Sequence, residues 1–292
     1  MDFKNGAELL SLCETKGLPI AEIMKEREIH LAETTTAEMD RKMNRVLEIM
    51  TQAAKEPIRH PRASMGGLIG GEAALVDRHR REGNAICGSL LSRAIAYSMA
   101  VLEVNSSMGL IVAAPTAGSS GVVPGVLLAL KEEYDLEDAA LLPALYNASA
   151  VGYLAMRNAT VAGAVGGCQA EVGVASAMAA SAAVELMGGT PAQCLDAASA
   201  ALMNLLGLVC DPVGGLVEYP CQNRNAIGVA GAITAAELAL SGIKQLIPFD
   251  EMLAAMYQVG RRLAPELRET ARGGCAVTPA GCAAAARCHG YS

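Results

Sequence analysis

The stretch from Glu171 to Met187, EVGVASAMAASAAVELM, is nearly uncharged and rich in alanine. Alanine is the strongest helix former, and a helix without a polar face has no side to offer to water. The stretch therefore predicts a central, buried helix around which the rest of the chain must pack. Alanine, glycine and methionine are plentiful, aromatic residues make up 3% and tryptophan is absent. That composition favours helices packed closely through small residues over a β-sandwich, which would want Val, Thr, Tyr and Phe. The expected fold is all-α, a helical domain around a buried central helix. It is taken as one domain over residues 1–292, long enough to bury a sizeable core.

Residues 1–57 read as a helical lead-in. Thr35 and Glu38 fit a capping box, and Met39, Met43, Val46, Leu47 and Met50 then recur at helical spacing until Pro57. Cys13 and His30 lie here without a nearby ligand set. From Met65 to Ala73, MGGLIGGEA places two glycine pairs before a helix starting near Glu72; close approach to a ligand and tight helix packing explain it equally. The charge run Asp77–Glu82 reads as solvated surface, which makes His79 a poor candidate base. Further helices are expected over Ala85–Val104, from Val122, over 139–165, over Ala192–Leu206 and over Asp250–Leu263. Residues 275–292 carry three more cysteines and read as a mobile tail.

Net charge is −7 and basic residues are not clustered, so a nucleic-acid partner is not expected. Mean hydropathy is +0.31. The two longest apolar stretches, Val104–Leu130 and Ala139–Met156, are nevertheless broken by Pro and Asn and read as buried helices, with no membrane span expected. Nine cysteines, an odd number, in a chain without a recognisable signal peptide point to a reducing, cytoplasmic setting.

Three of those cysteines stand apart. Cys168 in GGCQAEVG, Cys210 in VCDPVGG and Cys221 in YPCQNRN form a Cys-x41-Cys-x10-Cys pattern, each where a helical pattern breaks. Glycines beside a sulfur let the backbone approach a bulky inorganic group, and free N–H groups in such turns stabilise thiolates. Iron–sulfur clusters normally take four cysteines, so three would leave one iron open for Lewis-acid chemistry. Three buried structural thiols remain the competing explanation, because such long spacings are weaker evidence than adjacent C-x-x-C pairs.

Thr116, Ala117, Gly118, Ser119, Ser120 and Gly121 form a small polar turn before the helix expected at Val122. Such a turn offers N–H groups and hydroxyls to an anion. Without a P-loop lysine or G-x-G-x-x-G, a small carboxylate suits it better than a nucleotide, and a plain helix connection is the alternative. Arg224, followed by Asn225, is a rare cation beside Cys221. It fits either a carboxylate clamp or a structural salt bridge to Glu171 or Asp211.

Taken together, EVNSSMGLIVAAPTAGSSGVVPG, GGCQAEVGVASAMAA and CDPVGGLVEYPCQNRNAIGVAGAITAAELAL closely resemble the alpha chain of bacterial iron–sulfur-dependent L-serine dehydratases, from about Met39 to Pro279. The resemblance implies an all-helical catalytic domain whose Cys168, Cys210 and Cys221 hold a [4Fe–4S] cluster at loops between helices. It also implies that Ala114–Gly121 lies by the active site, with Thr116–Gly121, Arg224 and Asn225 as candidate substrate-binding residues. Two positions depart from the family pattern: Val165 stands where an acidic residue is expected, and Ser120 where cysteine is frequent. Some members end in a cysteine that caps the fourth iron at rest; the nearest analogue is Cys288, four residues from the end. The Ser-Ser-His-Thr-type motif of the family's smaller beta domain is missing, which implies a separate beta chain that supplies a histidine, in a heterodimer or higher oligomer.

The implied reaction converts L-serine to pyruvate and ammonia. Substrate carboxylate and hydroxyl meet the open iron, a base removes the Cα proton, and the released aminoacrylate tautomerises and hydrolyses. None of the seven lysines lies in a cysteine motif or glycine loop, which speaks against a pyridoxal phosphate route. A related lyase acting on cysteine, an iron–sulfur sensor and a structural zinc site are the alternatives.

Overall fold

A computed structural model describes residues 2–288, and among these it contains thirteen helices and no strand. The lead-in forms α1 (Gly6–Lys16), α2 (Ile20–Leu31) and α3 (Thr36–Arg59). Thr35 caps α3 by accepting from Glu38 N at 3.2 Å, while Glu38 pairs with Arg41 and does not close the box. Pro57 lies inside the last turn of α3. Then follow α4 (Glu72–Arg81), α5 (Gly88–Ser106), α6 (Val122–Glu133) and α7 (Asp138–Asn158). The remaining helices are α8 (Gly163–Gly166), α9 (Val174–Leu186), α10 (Pro191–Asn204), α11 (Cys221–Leu240), α12 (Phe249–Arg262) and α13 (Pro279–Cys288).

Helix α9 is the central helix the alanine-rich stretch predicts. Every residue from Val174 to Val184 is buried, and α6, α7, α10 and α11 pack around it. Small side chains bring these axes close. Added methyl groups would not fit everywhere: a Cβ at Gly228 of α11 would lie 2.8 Å from Val122 and 2.9 Å from Val172. Polar groups in this interior are paired, as burial demands. Ser176 Oγ donates to Gly228 O at 2.8 Å, and Ser181 Oγ to Asn147 Oδ1 at 2.6 Å. Asn147 Nδ2 in turn donates to Glu185, whose carboxylate also receives Ala21 N at the start of α2, so the lead-in is anchored to the end of the central helix.

Helix α7 is long and apolar enough to cross a membrane, but 61% of that stretch is buried against its neighbours, and Asn147 within it is buried and hydrogen-bonded. The charge run on α4 departs from expectation. Asp77 is buried, held between Arg80 at 2.8 Å and Arg81 at 2.5 Å, so part of the run closes inward. The stretch expected as a mobile tail also differs: residues 274–277 form a 3₁₀ turn and α13 follows it. His289 lies outside the described residues.

Glu103 joins α5 to two other elements from a fully buried position. Its Oε1 accepts from Ala73 N in the first turn of α4 at 3.0 Å and from Gln222 Nε2 on α11 at 3.2 Å, while Oε2 has no partner. Burial outweighs these donors and pushes the carboxyl up to about 7. Between the ordinary glutamate range and that value, the folded protein keeps a proton that the unfolded chain has released. Its stabilising effect is complete below pH 4.5 and is lost as pH rises through 7. Glu103→Gln removes this titration. The melting temperature of the variant relative to the unsubstituted protein is expected to rise between pH 5 and pH 8, by the equivalent of about 1–3 kcal/mol.

Candidate active site

The central helix does not begin at Glu171 as its composition suggests. Residues Gln169–Gly173 form a π turn ahead of α9, an irregularity often found at functional sites. Cys168 stands immediately before this turn. Gln169, also buried, fixes the segment by donating to Gly166 O at 2.9 Å and Met256 O at 3.0 Å and accepting from Gly207 N at 2.8 Å. Cys210 lies in an extended stretch that forms one parallel bridge with Arg268. Its N–H donates to Leu267 O at 2.9 Å and its carbonyl accepts from Glu269 N at 2.7 Å. Cys221 is the first residue of α11.

All three sulfurs belong to residues less than a tenth exposed. The Cys210 thiol is pushed far up, first by a hydrogen bond with the Cys168 sulfur and then by burial. Burial raises Cys221, with Cys168 adding to the effect. Two of the three buried thiols, Cys210 and Cys221, thus resist ionisation on their own, and cationic iron sharing their charge would stabilise them as thiolates, so the donor set suits a cluster. Among the described residues, no three His, Cys, Asp or Glu side chains converge closely enough for a single metal ion. Cluster ligands bind different irons and need not converge on one point.

The polar turn and α11 are locked together beside these sulfurs. Asn225, fully buried one turn beyond Cys221, donates from Nδ2 to Gly118 O at 2.7 Å and Cys221 O at 2.9 Å, and its Oδ1 accepts from Gly121 N at 3.1 Å. Gly121 has no room for a side chain, since a Cβ there would collide with Ser98 O of α5. Ser119 and Ser120 are fully buried. The Ser119 hydroxyl lies 3.1 Å from that of Thr116, and the Ser120 hydroxyl donates to Ala117 O at 2.7 Å. Thr116 and Gly118 are only partly buried, while Ala117 is exposed. The turn thus divides between an inner, structural half and an outer half.

Arg224 is committed to the protein. Its guanidinium pairs with Asp211 at 2.6 Å and donates to Val209 O at 2.8 Å, which realises the structural salt bridge rather than a free clamp. Asp211 also accepts from Cys275 N at 2.6 Å, docking the C-terminal segment on the extended stretch at Cys210. The structure does not bring Cys288 into the three-cysteine group: its sulfur donates to Gly66 O at 3.1 Å and Ala284 O at 3.3 Å. Gly66 belongs to the glycine loop, which wraps the buried Glu218 carboxylate with donors from Ser64 Oγ, Gly66 N and Leu68 N at 2.6–3.0 Å. Between this loop and α13 lies a cavity of about 500 Å³, bordered by Leu68, Tyr219, Cys275 and Arg287.

Sequence reasoning gave Glu171 only as a salt-bridge alternative. In the structure its Oε1 accepts from Thr116 Oγ1 at 2.8 Å and its Oε2 lies 3.8 Å from the Cys210 sulfur, so it joins the turn to the cysteine group. Burial raises this carboxyl above the ordinary range, and the exposed Glu269 adds to the rise. The π turn that aims Glu171 this way leaves no signature in composition or periodicity.

An all-helical chain with three neighbouring buried thiols beside a polar turn defines the class of site. The chain belongs to the serine dehydratase alpha chain family, whose sequence model matches residues 15–276. It is 44% identical over 279 residues to a probable L-serine dehydratase alpha chain of Bacillus subtilis, covering 96% of this chain and 93% of that one. It is 43% identical over 274 residues to an L-serine dehydratase alpha chain of Peptoniphilus asaccharolyticus, covering 94% of each. An L-serine dehydratase of Helicobacter pylori is 38% identical over 282 residues; the shared region is 95% of this chain but 62% of that protein.

Replacing Asn225 by Ala leaves Gly121 N and the Gly118 carbonyl without their partner. It is expected to cost about 2–4 kcal/mol, read as a lower urea midpoint at unchanged m-value. An unchanged midpoint would show that the turn is held by other contacts.

Proposed function

We propose that this chain is the alpha subunit of an L-serine ammonia-lyase, converting L-serine to pyruvate and ammonia. The observation that carries the proposal is the membership of the serine dehydratase alpha chain family over nearly the whole chain, with relatives named L-serine dehydratase alpha chain. Cys168, Cys210 and Cys221 hold a [4Fe–4S] cluster in this proposal. When bound, the cluster supplies a Lewis acid to a departing hydroxyl.

The protein's own part is to bind, orient and exclude water. Burial of the three cysteines keeps bulk water from the sulfurs. Asn225 holds the Thr116–Gly121 turn against α11, so its outer half, Thr116 to Gly118, faces substrate at a fixed distance from Cys221. Arg224 sets the extended Cys210–Asp211 stretch and contributes a nearby positive charge. Loss of the Cα proton and of the hydroxyl gives aminoacrylate, which tautomerises and hydrolyses in water to pyruvate and ammonia.

The base comes from a separate beta chain. Among the described histidines, His30 lies on α2, His60 caps the end of α3 and His79 lies on α4, and none makes a hydrogen bond to a residue of the site. The Helicobacter pylori relative carries a further region beyond the part shared with this chain, in keeping with a function that is divided here between two chains. The enzyme is placed in the cytoplasm, as a heterodimer or larger assembly.

The test is pyruvate formation under anaerobic conditions, by this chain alone and together with its beta chain, from L-serine, L-threonine and L-cysteine. Turnover of L-serine only when both chains are present is expected. Faster pyruvate formation from L-cysteine would favour a desulfurising lyase, and no turnover of any of the three would favour a sensor.

A further inference from the structure

L-Serine carries three polar groups, and the roles above provide for its carboxylate and hydroxyl but not for its α-ammonium. We propose that Glu171 receives the α-ammonium group of the substrate and so selects an amino acid over a hydroxy acid. The inference rests on the serine dehydratase reading and deepens it.

Glu171 has the position and charge for this role. Its carboxylate lies between the outer half of the polar turn and Cys210, with Thr116 Oγ1 at 2.8 Å from one oxygen and the Cys210 sulfur at 3.8 Å from the other. It is only partly buried. Glycines shape its surroundings: a Cβ at Gly163 would collide with Oε2, and one at Gly118 would lie 3.4 Å from Oε1. Glycine at these two positions keeps a methyl group off the carboxylate. Among the described residues Glu171 makes no salt bridge, and the neighbouring guanidinium of Arg224 is spent on Asp211 and Val209 O.

Glu171 is therefore a carboxylate with neutral donors and no directly paired cation, Arg224 acting on it only at a distance. An ammonium group offers up to three N–H donors and a full positive charge, and a charge-assisted hydrogen bond in a partly desolvated site is worth about twice a neutral one. A hydroxy acid of the same shape offers one neutral donor and gains far less. The Thr116 hydroxyl donates to Oε1 and the Cys210 sulfur stands 3.8 Å from Oε2, so each oxygen keeps a lone pair for the substrate.

The experiment uses the enzyme with both chains, loaded anaerobically, in unsubstituted, Glu171→Gln and Glu171→Asp forms. Iron content and the visible absorption of the cluster establish loading independently of activity. Competitive inhibition is then measured with L-alanine and L-lactate, which differ in ammonium against hydroxyl. The ratio of the lactate to the alanine inhibition constant is expected to fall by about tenfold or more in Glu171→Gln, with KM for L-serine raised in parallel. Glu171→Asp, which keeps the charge, is expected to retain most of the selectivity. An unchanged ratio in Glu171→Gln, or in Glu171→Asp the same fall as in a loaded Glu171→Gln, overturns the assignment. Should Glu171→Gln not load, a Glu171→Asp enzyme that inhibits equally with both compounds overturns it as well. Absence of L-serine turnover by the unsubstituted enzyme would instead overturn the serine reading and this inference with it.

Discussion

Close packing around α9 is the constraint on which the rest of the structure depends. A helix buried along its whole length can be surrounded only by helices that come near, and alanine, serine and glycine at the contacts allow that approach. The same closeness decides where the site falls. Gly228 of α11 meets Val122 at the start of α6 and Val172 in the π turn, so the polar turn, the Cys168 segment and the first turns of α11 are drawn to one end of the bundle. The cysteines lie far apart in sequence and are brought together where the starts of the π turn and of α11 meet the extended stretch at Cys210.

Polar contacts then refine what packing brings together. Asn225 ties the Thr116–Gly121 turn to α11, Gln169 ties the Cys168 segment to the 205–208 loop and α12, and Asp211 links Arg224 to the C-terminal segment. Each is a buried side chain contacted by partners from at least two elements, an arrangement that specifies one geometry because losing a partner leaves a buried group exposed to the full cost of burial.

Much of this was legible in the sequence, for identifiable reasons. Uniform burial leaves a composition signature, so the α9 stretch could be read directly. The helix start at Val122 follows from turn chemistry, whereas α3 runs two residues past the proline expected to stop it. The cysteine pattern could be singled out because Cys168, Cys210 and Cys221 interrupt helical runs. What escaped was pairing between distant side chains. Arg224 could equally have served a ligand or Asp211, and only the fold brings Asp211 to 2.6 Å. Asn225, Ser119 and Ser120 have the residue types of a binding turn, yet the structure turns their polar groups inward. Glu171 escaped because a π turn redirects a side chain without altering the pattern that marks a helix, and Asp77 because a buried ion pair has the same composition as a solvated one.

The central claim is that the three buried cysteines hold an iron–sulfur cluster, and its most direct test is elemental. Iron and acid-labile sulfide are measured per chain in protein purified without oxygen, for the unsubstituted chain and for Cys168→Ser, Cys210→Ser and Cys221→Ser, with folding followed by circular dichroism. The account predicts about four irons and four sulfides per chain, lost in each variant while helical content is retained. Zinc in place of iron, or full iron content in any folded variant, would contradict it.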